Sequence, residues 1–426
     1  MAFPEGFLWG AATAAHQVEG NNVASDFWAL EHASGSSFAE PSGDACDHYR
    51  LFRQDIALLA ELGFNSYRFS IEWARVEPED GTFSQAAIEH YRDVLQACHD
   101  HSLTPVVTLH HFSSPRWLME LGGWEYEKTP ARFAAYCGKV MSELGPLIPY
   151  VCTINEANIG PLIRDVLTAT SQGGRDASGA PVGVTDGAAE DGENDRDALS
   201  PVEAVPTDRD WPKIFLFTFS EQGVSIVQRA HTAARQAIRD ASPSTRVGLT
   251  LALQDIQPVP GGEKQAERTW AQTFEDFLPA MDGDDFLGVQ SYTRSLVGPD
   301  GPLPAPDGAE TTQMGYEFYP QALENVLRRA ATAGMPLLVT EHGIGTADDS
   351  RRIEFIRQGL AGLERVLADG VDVRGYLHWS ALDNYEWMLG YRPTFGLITV
   401  DRTTQRRTPK ASARYLGALA QRNPPA

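Results

Sequence analysis

The chain has 426 residues, 42% of them hydrophobic, and a formal net charge of -22. That balance excludes the basic patch on which nucleic acid or an anionic membrane would dock, while the length fits either two or three domains or one large barrel of alternating strands and helices. Four cysteines, Cys46, Cys98, Cys137 and Cys152, stand far apart with no C-x-x-C pair, so neither a disulfide framework nor a zinc cage is expected, and the reducing cytoplasm is the expected compartment.

Met1 to Gly6 show neither the basic nor the apolar stretch of a secretory signal, and no run of about 18 apolar residues follows, so no membrane span is expected. Short apolar runs predict strands at 7–12, 65–70, 105–111, 150–155, 247–251, 286–292, 337–341 and 373–380. Amphipathic stretches between and after them predict helices at 47–62, 84–101, 130–144, 221–240, 263–277, 320–333, 349–369 and 409–420. Gly63, Gly334 and Gly370 each stop a helical pattern just before a strand, as left-handed C-caps do. Eight strand-helix units predict an α/β fold, a single (β/α)8 TIM barrel over residues 1–426. One stretch breaks the rhythm. Residues 173–210, after strand four, are acidic, rich in Gly and Ala and free of aromatics, which predicts a long surface insertion, with a lid as the functional alternative.

Polar and aromatic side chains collect where the strands end. His16-Gln17-Val18-Glu19 follows strand one, Arg68 lies in strand two, His110-His111 closes strand three and Asn155-Glu156 closes strand four. Strand six ends Gln290-Ser291-Tyr292, strand seven ends Glu341, and strand eight ends at Trp379 before Glu386-Trp387. A single Glu after a strand is more often a cap than a catalyst. Strands four and seven face each other across such a barrel, however, and two carboxyls at one mouth suit glycosidic bond cleavage without metal or cofactor. One would protonate the leaving oxygen and the other, about 5 Å away, would attack the anomeric carbon. Gln17, His111, Asn155 and Glu386 offer partners for sugar hydroxyls, and Trp379 and Trp387 offer faces for the ring. Adjacent histidines on a strand point to opposite faces, so only one of His110 and His111 can enter the mouth, which weakens a metal site there.

The opening Phe3-Pro4-Glu5-Gly6-Phe7-Leu8-Trp9-Gly10 through His16-Gln17-Val18-Glu19-Gly20 resembles the signature of glycoside hydrolase family 1. The resemblance continues at Arg68-Phe69-Ser70-Ile71, Thr108-Leu109-His110-His111, Thr153-Ile154-Asn155-Glu156, Thr340-Glu341-His342-Gly343, Trp379 to Trp387 and Phe395-Gly396-Leu397, and spans the chain except about residues 158–220. It implies a barrel of retaining β-glycosidases, with Glu156 as acid/base and Glu341 as nucleophile. It further implies Gln17, His111, Asn155, Trp379, Glu386 and Trp387 as sugar ligands, and Arg68 and Tyr292 as residues that hold the nucleophile ionised, Tyr292 also bordering the substrate. The Glu386-Trp387 pair is the family's form for unphosphorylated sugars. Departures from the pattern are Ala157 for Pro, His342 for Asn, Gln290-Ser291 for Asn-Tyr and Thr394 for Arg.

The expected function is hydrolysis of terminal unphosphorylated β-D-glucosides, galactosides or fucosides by double displacement, with a small-molecule β-glycoside as the partner. A transglycosidase or a hydrolase dedicated to one natural-product glycoside is the alternative within the enzymes. A catalytically silent sugar-binding protein is the alternative outside them, and such proteins usually lack one of the two glutamates.

Overall fold

The computed structural model describes residues 3–164 and 212–422, so the predicted insertion at 173–210 lies outside the described residues. Eight parallel strands close a barrel in chain order: β1 (Leu8–Ala12), β2 (Ser66–Ser70), β3 (Thr104–His110), β4 (Tyr150–Ile154), β5 (Arg246–Ala252), β6 (Phe286–Gln290), β7 (Leu337–His342) and β8 (Val373–Trp379), with β8 pairing back onto β1. Each coincides with a predicted strand to within two residues at either end. The TIM barrel expected from the alternation is the fold observed.

Around it run α1 (His48–Leu62), α2 (Gln85–Asp100), α3 (Thr129–Leu144), α4 (Glu221–Ala241), α5 (Glu263–Thr273), α6 (Ala322–Ala330), α7 (Asp349–Ala368) and α8 (Ala411–Arg422). Their ends follow local chemistry. Ser84, Ser220 and Asp348 accept backbone N–H groups as N-caps of α2, α4 and α7, and Gly63, Gly334 and Gly370 take the left-handed backbone at helix ends. The stretch predicted as one helix at 263–277 is divided: α5 stops at Thr273, and a 3-10 turn over Glu275–Met281 holds Pro279, which cannot continue an α-helix. A three-stranded sheet of Asp255–Pro258, Arg294–Gly298 and Gly301–Leu303 and a pairing of Ile398–Val400 with Arg407–Pro409 were not foreseen, being too short to show a period.

Two apolar layers position the site. Trp9, Tyr67, Val107, Val151, Leu249, Val289 and Val339 face outward and join the helices in the main core. Leu8, Val106, Cys152, Phe286, Leu338 and Leu377 fill the barrel interior, giving the mouth an apolar floor. From Leu338, strict alternation would aim Thr340 and His342 inward and Glu341 outward. The register of β7 slips there: Val339 pairs with Val289 and Glu341 with Gln290, so Thr340 and Glu341 together stand against one residue of β6. This bulge turns Glu341 into the barrel and His342 out of it.

Candidate active site

Glu341 is the most heavily held carboxylate at the mouth. Arg68, buried on β2, donates Nη1 to its Oε1 at 2.5 Å; Gln290 donates Nε2 to the same oxygen at 2.9 Å; and the Tyr292 hydroxyl donates to Oε2. Arg68 is itself fixed by Thr108 Oγ1 at 3.1 Å and the Thr340 carbonyl at 3.3 Å, and its Nη2 reaches Asn155 Oδ1 at 2.5 Å. Nucleophile candidate, guanidinium and sugar-ligand candidate thus form one bonded set across β2, β4 and β7.

Glu156 lies just past β4 and is placed by its backbone. Its φ of 45° is left-handed, an unfavourable region for a residue with a Cβ, and Thr250 of β5 holds it there. Thr250 Oγ1 accepts the Glu156 N–H at 3.0 Å and donates to the Ile154 carbonyl at 3.1 Å, while the Thr250 carbonyl accepts the Ala157 N–H at 3.0 Å. A proline at 157 would lack that N–H, so the departure at Ala157 adds a hydrogen bond to the turn. Thr250 carried no signal in the sequence, since strand five ends in apolar residues.

The two carboxyls differ in environment. Burial, and then the charge of Glu341, push Glu156 well above the ordinary carboxylate range, and its Oε2 is buried with no partner among the described residues. Burial also raises Glu341, with Arg68 and Tyr292 acting in the opposite direction. The expectation that the guanidinium would set Glu341 low holds for the sign of that contribution; desolvation of a fully enclosed carboxyl outweighs it.

The other predicted residues converge on the same mouth. Gln17, on the short helix Ala15–Val18, donates Nε2 to the Tyr385 carbonyl at 2.6 Å and approaches Glu386 Oε2 at 3.5 Å. The His111 ring lies nearly parallel to Trp379, at 5.5 Å, and to Trp387, at 6.2 Å, and the Trp387 ring is nearly parallel to that of His16 at 5.6 Å. Burial, then Arg68, hold His111 well below its ordinary pKa, so its imidazole is neutral. His110 goes elsewhere: it packs among Trp124, Phe133 and Phe215 and bonds Ser114 at 2.9 Å. Among the described residues no three His, Cys, Asp or Glu side chains gather as a metal site.

Several buried polar atoms without a protein partner among the described residues lie here. They include Gln17 Oε1, His111 Nδ1, Asn155 Nδ2, Glu156 Oε2, Trp379 Nε1 and Glu386 Oε1. Buried polar groups in folded proteins are mostly paired, and each lost partner costs about 1–3 kcal/mol, so a ligand dense in hydroxyls would complement this mouth. Tyr316, whose hydroxyl is also buried and unpartnered, joins the same apolar rim as Trp379, Phe395 and Tyr292; only its aromaticity marked it in the sequence.

The remaining departures are resolved. His342 lies outside the barrel, stacked on Phe355 of α7 at 4.6 Å with Nδ1 2.8 Å from the Tyr376 hydroxyl, and burial takes its pKa down to about 3. Thr394 ties together the loops after β6, β7 and β8, meeting the Gln313 side chain at 2.8 Å and the Thr346 carbonyl at 2.9 Å. Ser291 donates its N–H to the Glu341 carbonyl at 3.2 Å.

A parallel barrel that encloses two carboxyls among amide, imidazole and indole groups at its mouth is the architecture of a glycoside-cleaving enzyme. The chain belongs to glycosyl hydrolase family 1, whose family model matches residues 1–169 and 303–425, and it is a glycoside hydrolase. Beta-glucosidase A of Acetivibrio thermocellus is 27% identical over 99% of this chain and 99% of its own. A bifunctional β-D-glucosidase/β-D-fucosidase of Bifidobacterium breve is 31% identical over 97% of this chain and 96% of its own. Among solved structures, the β-glycosidase BGL167 superposes with a TM-score of 0.86 at 51% identity, covering 100% of this chain and 98% of that one.

Proposed function

We propose that the protein is a retaining β-glycosidase that hydrolyses terminal, unphosphorylated β-D-glucosides, with galactosides or fucosides as further substrates. The asymmetry of the two carboxyls carries this reading. Glu341, held by Arg68, Gln290 and Tyr292, attacks the anomeric carbon as the C–O bond to the leaving group breaks, and Glu156 passes its proton to the departing oxygen. The ester formed on Glu341 no longer carries a charge, which lowers the proton affinity of Glu156. Glu156 then takes a proton from water as the water oxygen attacks the same carbon and the ester bond breaks.

Gln17, His111, Asn155, Glu386 and Trp379 supply hydrogen bonds to the glycone, and Trp387 supplies a face. The names of the relatives, a β-glucosidase and a β-D-glucosidase/β-D-fucosidase, support a glucose-like ring with tolerance at C4 and C6, the two positions at which D-fucose differs from D-glucose. The four cysteines are buried free thiols, which supports a reducing compartment, the cytoplasm. Release of nitrophenol from aryl β-glucosides, β-galactosides and β-fucosides by the wild type and by Glu341→Gln tests the proposal. Equal rates for the two proteins on every sugar would overturn it, and product analysis with an added alcohol separates hydrolysis from transfer.

A further inference from the structure

Gln290 is buried on β6 between Asn155 and Glu341, and one amide group meets both. Its Nε2 donates to Asn155 Oδ1 at 2.7 Å and to Glu341 Oε1 at 2.9 Å. Each of those oxygens already accepts an N–H from Arg68 at 2.5 Å. Valence then decides the rest. Asn155 Oδ1 has both lone pairs engaged, which fixes the amide orientation and leaves Nδ2, buried and without a protein partner, as its free donor. Glu341 Oε1 is likewise doubly held, whereas Oε2 takes the Tyr292 hydroxyl.

An Asn, the residue expected here, is shorter by one carbon–carbon bond, ~1.5 Å. Its amide cannot keep both contacts from the same Cα. A Leu or Met would fill the space of Gln290 without burying its Oε1, which has no partner, so the two donor contacts are what the amide supplies. The hydroxyl beside the anomeric carbon lies where a group bonded to the nucleophile can meet it, and hydrogen bonds to that hydroxyl strengthen in the transition state.

We infer that Gln290 is a positioning residue that locks Glu341 and Asn155 into one unit, setting the attacking carboxylate and the donor for the sugar's 2-hydroxyl together. The inference rests on Glu341 as nucleophile. The ionisable groups whose charge bears on Glu341 are Arg68 of β2, Cys152 of β4, Glu156 after β4, Tyr292 after β6 and Glu386 after β8. Removing the Gln290 donor leaves Arg68 and Tyr292 to favour the charged carboxylate, so the acid limb of activity moves to higher pH.

Three variants separate positioning from packing. Gln290→Met keeps the volume and removes the donor, Gln290→Asn keeps the amide and shortens it, and Gln290→Glu sets a carboxylate against two acceptors. Two readouts are compared: kcat/KM against pH on an aryl β-glucoside, and the rate at which a 2-deoxy-2-fluoroglucoside labels Glu341, followed by mass spectrometry. The fluorinated sugar has no 2-hydroxyl, so its labelling rate reads Glu341, while kcat/KM on the ordinary glucoside reads Glu341 and Asn155 together.

For Gln290→Met, labelling slows about tenfold and kcat/KM falls further, by up to about a hundredfold, with the acid limb raised. Gln290→Glu raises that limb more, and Gln290→Asn recovers part of one readout without the other. Wild-type labelling rate and wild-type acid limb in folded Gln290→Met overturn the inference; should Met fail to fold, the same result in Gln290→Glu does so. Absence of label on Glu341 in the wild type overturns the nucleophile reading itself, and this one with it.

Discussion

Replacing His342 by Asn separates two roles open to a residue next to the proposed nucleophile: tuning the carboxyl or packing the barrel wall. The imidazole is enclosed between β7 and α7, stacked on Phe355, with its Nδ1 at the Tyr376 hydroxyl. Asn is too short to keep the stack and leaves the Tyr376 hydroxyl buried without its partner. Together these cost about 2–4 kcal/mol at pH 7. The sign of the pH dependence follows from a pKa of about 3 in the fold against 6.5 for an ordinary histidine. Between those values the unfolded chain binds a proton that the folded one refuses, so this residue's contribution is whole above about pH 6.5 and falls by about 1.4 kcal/mol per unit below it. Asn does not titrate. The stability gap between wild type and His342→Asn therefore narrows by about 2 kcal/mol from pH 7 to pH 5. His378, paired with it on β8, is also held neutral by burial. Denaturant unfolding at the two pH values measures the gap, and pH profiles of kcat/KM for the two proteins should superpose. A gap that stays constant, or an ionisation in the wild-type profile that Asn removes, refutes the reasoning.

Tyr292→Phe deletes a donor to the charged form of Glu341, so activity drops about tenfold or more and the acid limb of kcat/KM moves to higher pH; an unmoved limb would show that the hydroxyl does not hold the carboxylate. Gly359→Ala on α7 would bring a Cβ within 2.5 Å of His342 Cε1, and the enclosed ring has little room to yield. About 1–3 kcal/mol of stability should be lost, with less lost when His342→Asn is already present, and additive losses in that double-mutant cycle would mean the two do not touch. Ala157→Pro removes the N–H given to Thr250 and loosens the turn that aims Glu156. Its melting temperature should drop, and its rate should fall more on glycosides with poor leaving groups than on nitrophenyl ones; equal effects on both would place the damage away from Glu156.

Much of the fold was legible because its signals are local. An apolar run bounded by Gly or a capping Ser reads the same in any context, so eight strands and their helices could be placed from the chain alone, and barrel topology then ordered their ends around one mouth. Glu156, Glu341 and the residues proposed to hold the sugar could be singled out for the same reason, since each lies in a motif at or shortly after a strand end. Segments without a period escaped, among them the small sheet that includes Gly301–Leu303.

Direction was decided by the tertiary structure. Side chains alternate along a strand, so one extra residue reverses everything beyond it. The slip at Thr340 arises from pairing between β7 and β6, segments about fifty residues apart, and no local pattern records it. That slip turns Glu341 toward Arg68, Gln290 and Tyr292 and sends His342 into the helix layer. In the same way the sequence marks Gln290 only as an odd residue at the end of a strand. Its function as a bridge exists only where β4, β6 and β7 meet, because its partners lie 135 and 51 positions away along the chain.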